Sequence, residues 1–220
     1  MNDVSPYAPP AAAELVVPET VPQAVLDAGL GPRSITVLAV LVLLGLVVSV
    51  FQIVTEVVMD VAATGPVGLA SVIVANLVGS GMYVYVLYRW RRLLNLWVGA
   101  RKANKYLYAM MGLTVLMLVA DLVPYALSTE DAPAAQVIQL AFLVVFGIVS
   151  LLYALVLLRC KVELPLFKPY AITTLITGVT LASLVLLLVA IPFMFLAEIL
   201  FAFLLFGMAR RLEDARTPAA

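Results

Sequence analysis

Two polar side chains, Glu198 and Asn76, lie deep within long apolar stretches of the sequence. Glu198 precedes Arg210 by twelve residues and Asn76 precedes Arg89 by thirteen, which is about 18 to 20 Å along a helix. Ionisable groups at such depth in a membrane mark paths for protons or cations, and burial favours their neutral form. We therefore predict a Glu198 to Asn76 hydrogen bond, in which Glu198 is either a proton or cation carrier or a neutral acid that joins two helices.

A third candidate, Asp121, lies closer to the end of its apolar stretch, with six residues between it and the acidic turn at 128–131, which contains Glu130 and Asp131. Glu56 and Asp60 end the first apolar stretch at a comparable level. These carboxylates would form an outer acidic vestibule for a cation if they converged. The alternative is that each is solvated separately near the lipid headgroups.

The stretch from 89 to 105 holds six basic residues and no acidic one. Trp90, Leu93, Leu94 and Trp97 recur in it at helical spacing, so that one face can enter the membrane interface while the cations meet phosphates. The alternative is a determinant of membrane orientation with an aromatic belt, and nucleic-acid binding is disfavoured. The predicted contacts with anionic lipid headgroups are Arg89, Trp90, Arg91, Arg92, Trp97, Arg101, Lys102 and Lys105.

Other kinds of chemistry lack the residues that they need. The chain has no histidine and one cysteine, Cys160, and it contains no phosphate-binding glycine loop, paired metal-ligand motif or nucleophile elbow. We predict no metal, no cofactor and no enzymatic activity, and we expect the lone thiol to be inert.

The composition indicates a membrane protein. Of 220 residues, 65% are hydrophobic and 12% charged, whereas about a quarter are charged in soluble domains. Apolar runs of 18 or more residues recur without the alternation of barrel strands, which predicts an all-α integral membrane bundle. We expect it in the plasma membrane of a bacterium.

Turn residues and basic clusters divide the chain into six transmembrane helices, arranged as three consecutive hairpins. The apolar stretch from 170 to 209 is about 60 Å long as a helix, twice the hydrocarbon thickness, so it must break, and Pro192 is its one strong breaker. The tight connection at 189–191 would be a full hairpin or a half-inserted turn. The predicted spans are 35–58, 67–88, 106–127, 134–158, 170–190 and 192–209, within a membrane domain from 34 to 209.

Six spans place all thirteen Lys and Arg residues on one face, which the positive-inside rule identifies as cytoplasmic. Both termini then lie in the cytoplasm: a disordered tail from 1 to 33, rich in proline and alanine, and a short tail from 210 to 220. One short helix is possible between Pro22 and Ala28, ended by Gly29 and Gly31.

Small residues indicate where helices pack. Ser71, Ala75 and Gly79 recur every four residues on the second span and would allow another backbone to approach closely. On the fifth span, Thr173, Thr177 and Thr180 form a hydroxyl stripe, which either packs or lines a substrate path. Such hydroxyls commonly bond the carbonyls of their own helix.

The leading functional interpretation is a non-catalytic multi-pass protein that acts through helix and lipid contacts, such as an accessory subunit, a modulator or an immunity-type protein. Its partners would be the bilayer and another membrane protein or a second copy. The alternative is a small transporter or channel with a polar path near Glu198 and Asn76.

Overall fold

The computed structural model describes residues 21–58, 65–126, 132–162, 164–183 and 186–216, and within these ranges the chain is helical without strands. A 3-10 turn, Arg101–Ala103, precedes α4. The helices are α1 Gln23–Asp27, α2 Pro32–Val58, α3 Gly65–Trp97, α4 Asn104–Ala126, α5 Ala132–Leu158, α6 Phe167–Ala182 and α7 Leu187–Arg216.

Four of these helices contain stretches that are long and apolar enough to cross a membrane. The prediction of an all-helical protein is therefore confirmed, and four of its helices are suited to span a membrane. The four stretches are Pro32–Gln52 in α2, Arg101–Ala120 around α4, Val137–Leu158 in α5 and Leu188–Arg216 in α7.

The six long helices, α2 to α7, form a closed ring. Each packs against the next along the chain, as expected of helices that short connections join. The ring closes because α7 returns to pack against α2. Buried positions on the two helices, including Leu38 and Ala39 on α2 and Leu205 and Met208 on α7, belong to one core.

The tightest contact in the ring is between α5 and α6, where two glycines face each other. A Cβ atom on Gly147 would lie 2.5 Å from the backbone nitrogen of Ala182, and one on Gly178 would lie 2.6 Å from that of Leu151. Neither distance leaves room for a side chain. The two backbones therefore touch, which only glycine at both positions allows.

The predicted small-residue stripe on α3 faces α2. A Cβ atom on Gly79 would lie 3.4 Å from Val48 Cγ1, so the helices approach closely at that level. Ser71 and Ala75 line an apolar groove between α2 and α3 with Val47 and other residues of α2.

The helix break near the C-terminus lies earlier than predicted. α6 ends at Ala182, Ser183 is extended with ψ 99°, and α7 begins at Leu187. Pro192 lies inside α7, so the prediction of a turn at 189–191 is wrong. The proline removes the bond to the carbonyl of Leu188 and its ring crowds that carbonyl, yet α7 continues beyond it to Arg216.

Both predicted tails are partly ordered. Within residues 21–33, Val25 is fully buried and α1 packs on α3, so the prediction of disorder up to residue 33 is wrong for this part. Gly29 ends α1 with φ 66°, and the predicted short helix is confirmed. At the other end α7 stays helical to Arg216, whose guanidinium donates to the carbonyl of Leu30 at 3.0 Å. Residues 1–20 and 217–220 lie outside the described ranges.

The glycine contact gives the first prediction. Gly178→Ala should lower the free energy of unfolding in detergent by about 1–3 kcal/mol or more, because the new methyl group meets backbone atoms of α5 that cannot rotate away. The matched control is Gly112→Ala on α4, where a Cβ atom has nothing within 4 Å. Equal thermal stability of the two variants would contradict the close contact.

Candidate functional site

The ring encloses a central cavity of about 350 Å³, and all six long helices contribute to its wall. The wall combines apolar side chains with hydroxyl, amide and carboxyl groups. Its polar members are Ser49, Gln52, Asn76, Ser80, Tyr83, Thr114, Ser150, Tyr170, Thr174, Thr177 and Glu198.

Among the described residues that line the cavity, Glu198 on α7 is the only carboxylate. Its Oε2 atom is buried and has no hydrogen-bond partner. It interacts electrostatically with the phenol groups of Tyr83 on α3 and Tyr170 on α6. A buried carboxyl oxygen without a partner is costly, so this atom is the place in the cavity where a donor or a cation would be stabilised most.

Asn76 lines the same cavity as Glu198, as their predicted similar depth requires. Its amide oxygen, however, accepts a hydrogen bond from the side-chain amide of Gln52 on α2. The predicted bond between Asn76 and Glu198 is not formed: Asn76 pairs with Gln52 on the neighbouring helix α2, while Glu198 Oε2 has no partner.

An aromatic cluster lies beside the cavity toward the basic end of the bundle, and two of its members, Tyr170 and Phe201, line the cavity. Trp90 on α3 is fully buried, and its indole N–H donates to the Tyr153 hydroxyl on α5 at 2.6 Å. Its ring lies 4.9 Å from that of Phe201 on α7, edge to face, and Phe201 stacks on Tyr170 at 5.1 Å. Four helices thus meet around one indole, which forms the cavity floor with its neighbours.

The first part of the basic stretch from 89 to 105 belongs to α3, which continues as far as Trp97, and the rest forms the 3-10 turn and the start of α4. Its apolar face points into the bundle, where Leu93 and Leu94 are buried together with Trp90. Trp90 is fully buried in protein, so the prediction that its side chain contacts lipid headgroups is wrong. The helical spacing was read correctly, but that face meets protein.

The remaining members of the predicted lipid contact surface are at least partly accessible. Arg92, Arg101, Lys102 and Lys105 are exposed, while Arg89 and Trp97 are half-buried. Arg91 is held between two rings, with its guanidinium carbon 4.6 Å from the Tyr108 centroid and 5.3 Å from that of Tyr88.

The threonines of α6 bond to their own helix. The hydroxyls of Thr173, Thr177 and Thr180 each donate to a carbonyl three or four residues earlier, at 2.9 to 3.0 Å. Of the three, only Thr177 lines the cavity, beside Thr174. The stripe is therefore mainly a packing surface.

The predicted outer vestibule cannot be described. Asp121 falls within α4, but its side chain lies outside the described part of the chain. The same holds for the side chains of Glu56, Asp60, Glu130 and Asp131.

Gln52, Tyr83 and Tyr170 are among the cavity residues that were not singled out from the sequence. A signal existed for Gln52, since an amide inside an apolar span needs a partner. No such signal exists for the two tyrosines. Tyrosine is also typical of the membrane interface, and residue type alone does not tell which face of an apolar helix points to the axis of the bundle.

Among the described residues, no group of three or more His, Cys, Asp or Glu side chains could hold a metal ion. Cys160 follows α5 and donates a weak hydrogen bond to the carbonyl of Val156 at 3.4 Å. Partial burial raises the pKa of its thiol, which disfavours the reactive thiolate.

No protein-family model, curated protein or solved structure matches this chain. Its function must therefore be inferred from the cavity and the residues around it.

The aromatic floor gives the second prediction. Tyr153→Phe should lower the free energy of unfolding by about 1–3 kcal/mol, because it leaves the buried indole N–H of Trp90 without its acceptor. Tyr85→Phe, at a side chain 48% exposed, is the matched control and should have little effect. Thermal unfolding in detergent measures both, and an unchanged Tyr153→Phe would contradict the hydrogen bond.

Proposed function

We propose that this chain is a small integral membrane carrier that moves a solute through its central cavity. The observation that supports this function is the cavity itself, in which Glu198 presents a buried oxygen without a partner. Substrate sites of secondary transporters lie near the bilayer midplane between helices, and ionisable groups there are usually functional. A purely accessory protein has no need of a polar cavity.

The proposal includes six membrane spans, two more than the four helices that meet the length and apolarity criteria. α3 is 33 residues long and packs between α2 and α4, and α6, with 16 residues, packs between α5 and α7. Helices in a ring whose neighbours cross the bilayer are expected to cross it too. The short α6 would do so with help from the polar residues near its ends.

Orientation follows from charge. With six spans, both termini and all basic clusters lie on the cytoplasmic face of the plasma membrane, where the exposed Arg92, Arg101, Lys102 and Lys105 would contact anionic headgroups. The aromatic floor around Trp90 then closes the cavity on the cytoplasmic side. In this state, solute would enter from the opposite side.

A second candidate is the accessory or modulatory role that the sequence favours. One observation supports it: the apolar groove between α2 and α3, lined by Val47, Phe51, Ser71, Ala75 and neighbouring residues, offers a surface for another helix. The occupant would be a membrane-protein partner or a second copy of this chain.

The six-span arrangement gives the third prediction. In a Cys160→Ser background, Ser183→Cys lies in the turn between α6 and α7 and should react with a membrane-impermeant maleimide on intact cells. Asp214→Cys, exposed near the end of α7, should react only after permeabilisation. If α6 does not cross, α7 exits on the other side and the labelling pattern reverses.

The carrier function gives the fourth prediction. Purified protein in liposomes should speed the permeation of at least one of three small solutes, glycerol, acetate or methylammonium, relative to protein-free liposomes. Ser80→Phe should abolish this permeation because the new phenyl group would fill the cavity that Ser80 lines. Ser71→Phe, on the groove outside the ring, is the matched control and should retain it.

Permeation no faster than in protein-free liposomes for all three solutes would contradict the carrier function. Purification in mild detergent distinguishes the second candidate, since an accessory protein should bring down a stoichiometric membrane partner. Thermal unfolding of each variant checks that a loss of permeation does not reflect a loss of fold.

A further inference from the structure

The described part of the cavity wall carries one carboxyl group and no positively charged group. Among the described residues that line it, Glu198 is the only carboxylate, and neither lysine nor arginine is present. Its Oε2 atom is buried without a hydrogen-bond partner. A cation would supply the missing partner. An anion would be repelled by the carboxylate, and this repulsion is strong in a region of low dielectric constant.

The rest of the wall suits a cation with an apolar body rather than a bare metal ion. Ca²⁺ takes six to eight oxygen ligands and Mg²⁺ about six, but the neighbours here include the rings of Phe146, Tyr170 and Phe201. Aromatic faces attract organic ammonium groups through cation–π interaction. The thioethers of Met82, Met110, Met117 and Met194 add an adaptable apolar surface.

The size of the cavity restricts the ligand further. A volume of about 350 Å³ lies at the lower end of the range of roughly 300 to 1,000 Å³ found for small-molecule sites. A compact molecule with one charged group and one ring or short alkyl body fits this space.

Building on the carrier function, we infer that the cavity binds a compact organic ammonium ion, with Glu198 as its counter-ion and the ring of Phe201 or Tyr170 against its apolar body.

A proton competes with such a cation, because the same carboxylate oxygen can take either one. The titratable groups that face Glu198 are Tyr83 on α3 and Tyr170 on α6, and the described wall residues of α2, α4 and α5 include none. A phenol ordinarily loses its proton only at about pH 10, so the carboxyl of Glu198 is the group that titrates at lower pH. The affinity for a permanent cation should therefore fall as the pH is lowered and Glu198 becomes protonated.

Calorimetric titration of the full-length protein in a non-ionic detergent tests the inference with three compact aromatic probes. These are phenyltrimethylammonium, uncharged benzyl alcohol and anionic benzoate, each corrected for partition into empty micelles. The cation should bind at least about tenfold more tightly than the other two. Glu198→Gln should weaken its binding by about tenfold or more, while Glu213→Gln, on the exposed end of α7, should leave it unchanged.

Equal affinity for the three probes, or cation binding that Glu198→Gln leaves intact, would overturn the inference. Titration of the unaltered protein at pH 5.5 and pH 8.5 keeps it testable if Glu198→Gln does not fold, and an affinity that does not change with pH would also overturn it. Cation binding without permeation in liposomes supports this inference and contradicts the carrier function. Permeation of glycerol without cation binding supports the carrier function and contradicts this inference.

Discussion

The return of α7 to α2 is the contact on which the cavity depends, because helices joined in sequence would otherwise form an open arc. In lipid, apolar side chains gain little from leaving their surroundings, so helix association relies on close packing and on polar contacts. Both are present here. The α5 and α6 backbones touch at Gly147 and Gly178, and outside the apolar region Arg216 holds the carbonyl of Leu30 beside the closing pair of helices.

The helices of the ring could be predicted from the sequence because apolar length and turn residues determine them. The break between α6 and α7 could not, since proline was taken as the strongest signal in an apolar stretch of forty residues. A proline inside a helix removes one hydrogen bond and crowds one carbonyl, which can kink the helix without ending it. At Pro192 the helix has just begun, and the chain turns instead at Ser183, a residue with no strong preference for a turn.

The candidate site could be predicted in part. Glu198 and Asn76 stand out because polar groups are rare in apolar spans, and both line the cavity. Their pairing was wrong because depth does not determine the angle around each helix axis. These spans are apolar on all sides, so periodicity does not tell which face points inward. Gln52, from the adjacent helix, reaches Asn76 instead.

Trp90 shows how the same limit acts at the basic end. Its spacing with Leu93, Leu94 and Trp97 correctly indicates a helix with one apolar face, but an apolar face can meet either lipid or protein. Six basic residues nearby favoured lipid. In the structure this face of α3 meets protein instead. Trp90 is buried within the ring of helices, where its indole N–H donates to the Tyr153 hydroxyl.

The floor and the wall of the cavity share side chains, so a rearrangement of the floor changes the wall as well. Phe201 and Tyr170 line the cavity and also pack on Trp90. Under the proposed carrier function, an opening of the floor toward the basic end would separate these rings and break the Trp90 to Tyr153 bond. A buried donor left unpaired costs about 1–3 kcal/mol, and a ligand that contacts the same two rings would change this equilibrium by its difference in affinity for the two states.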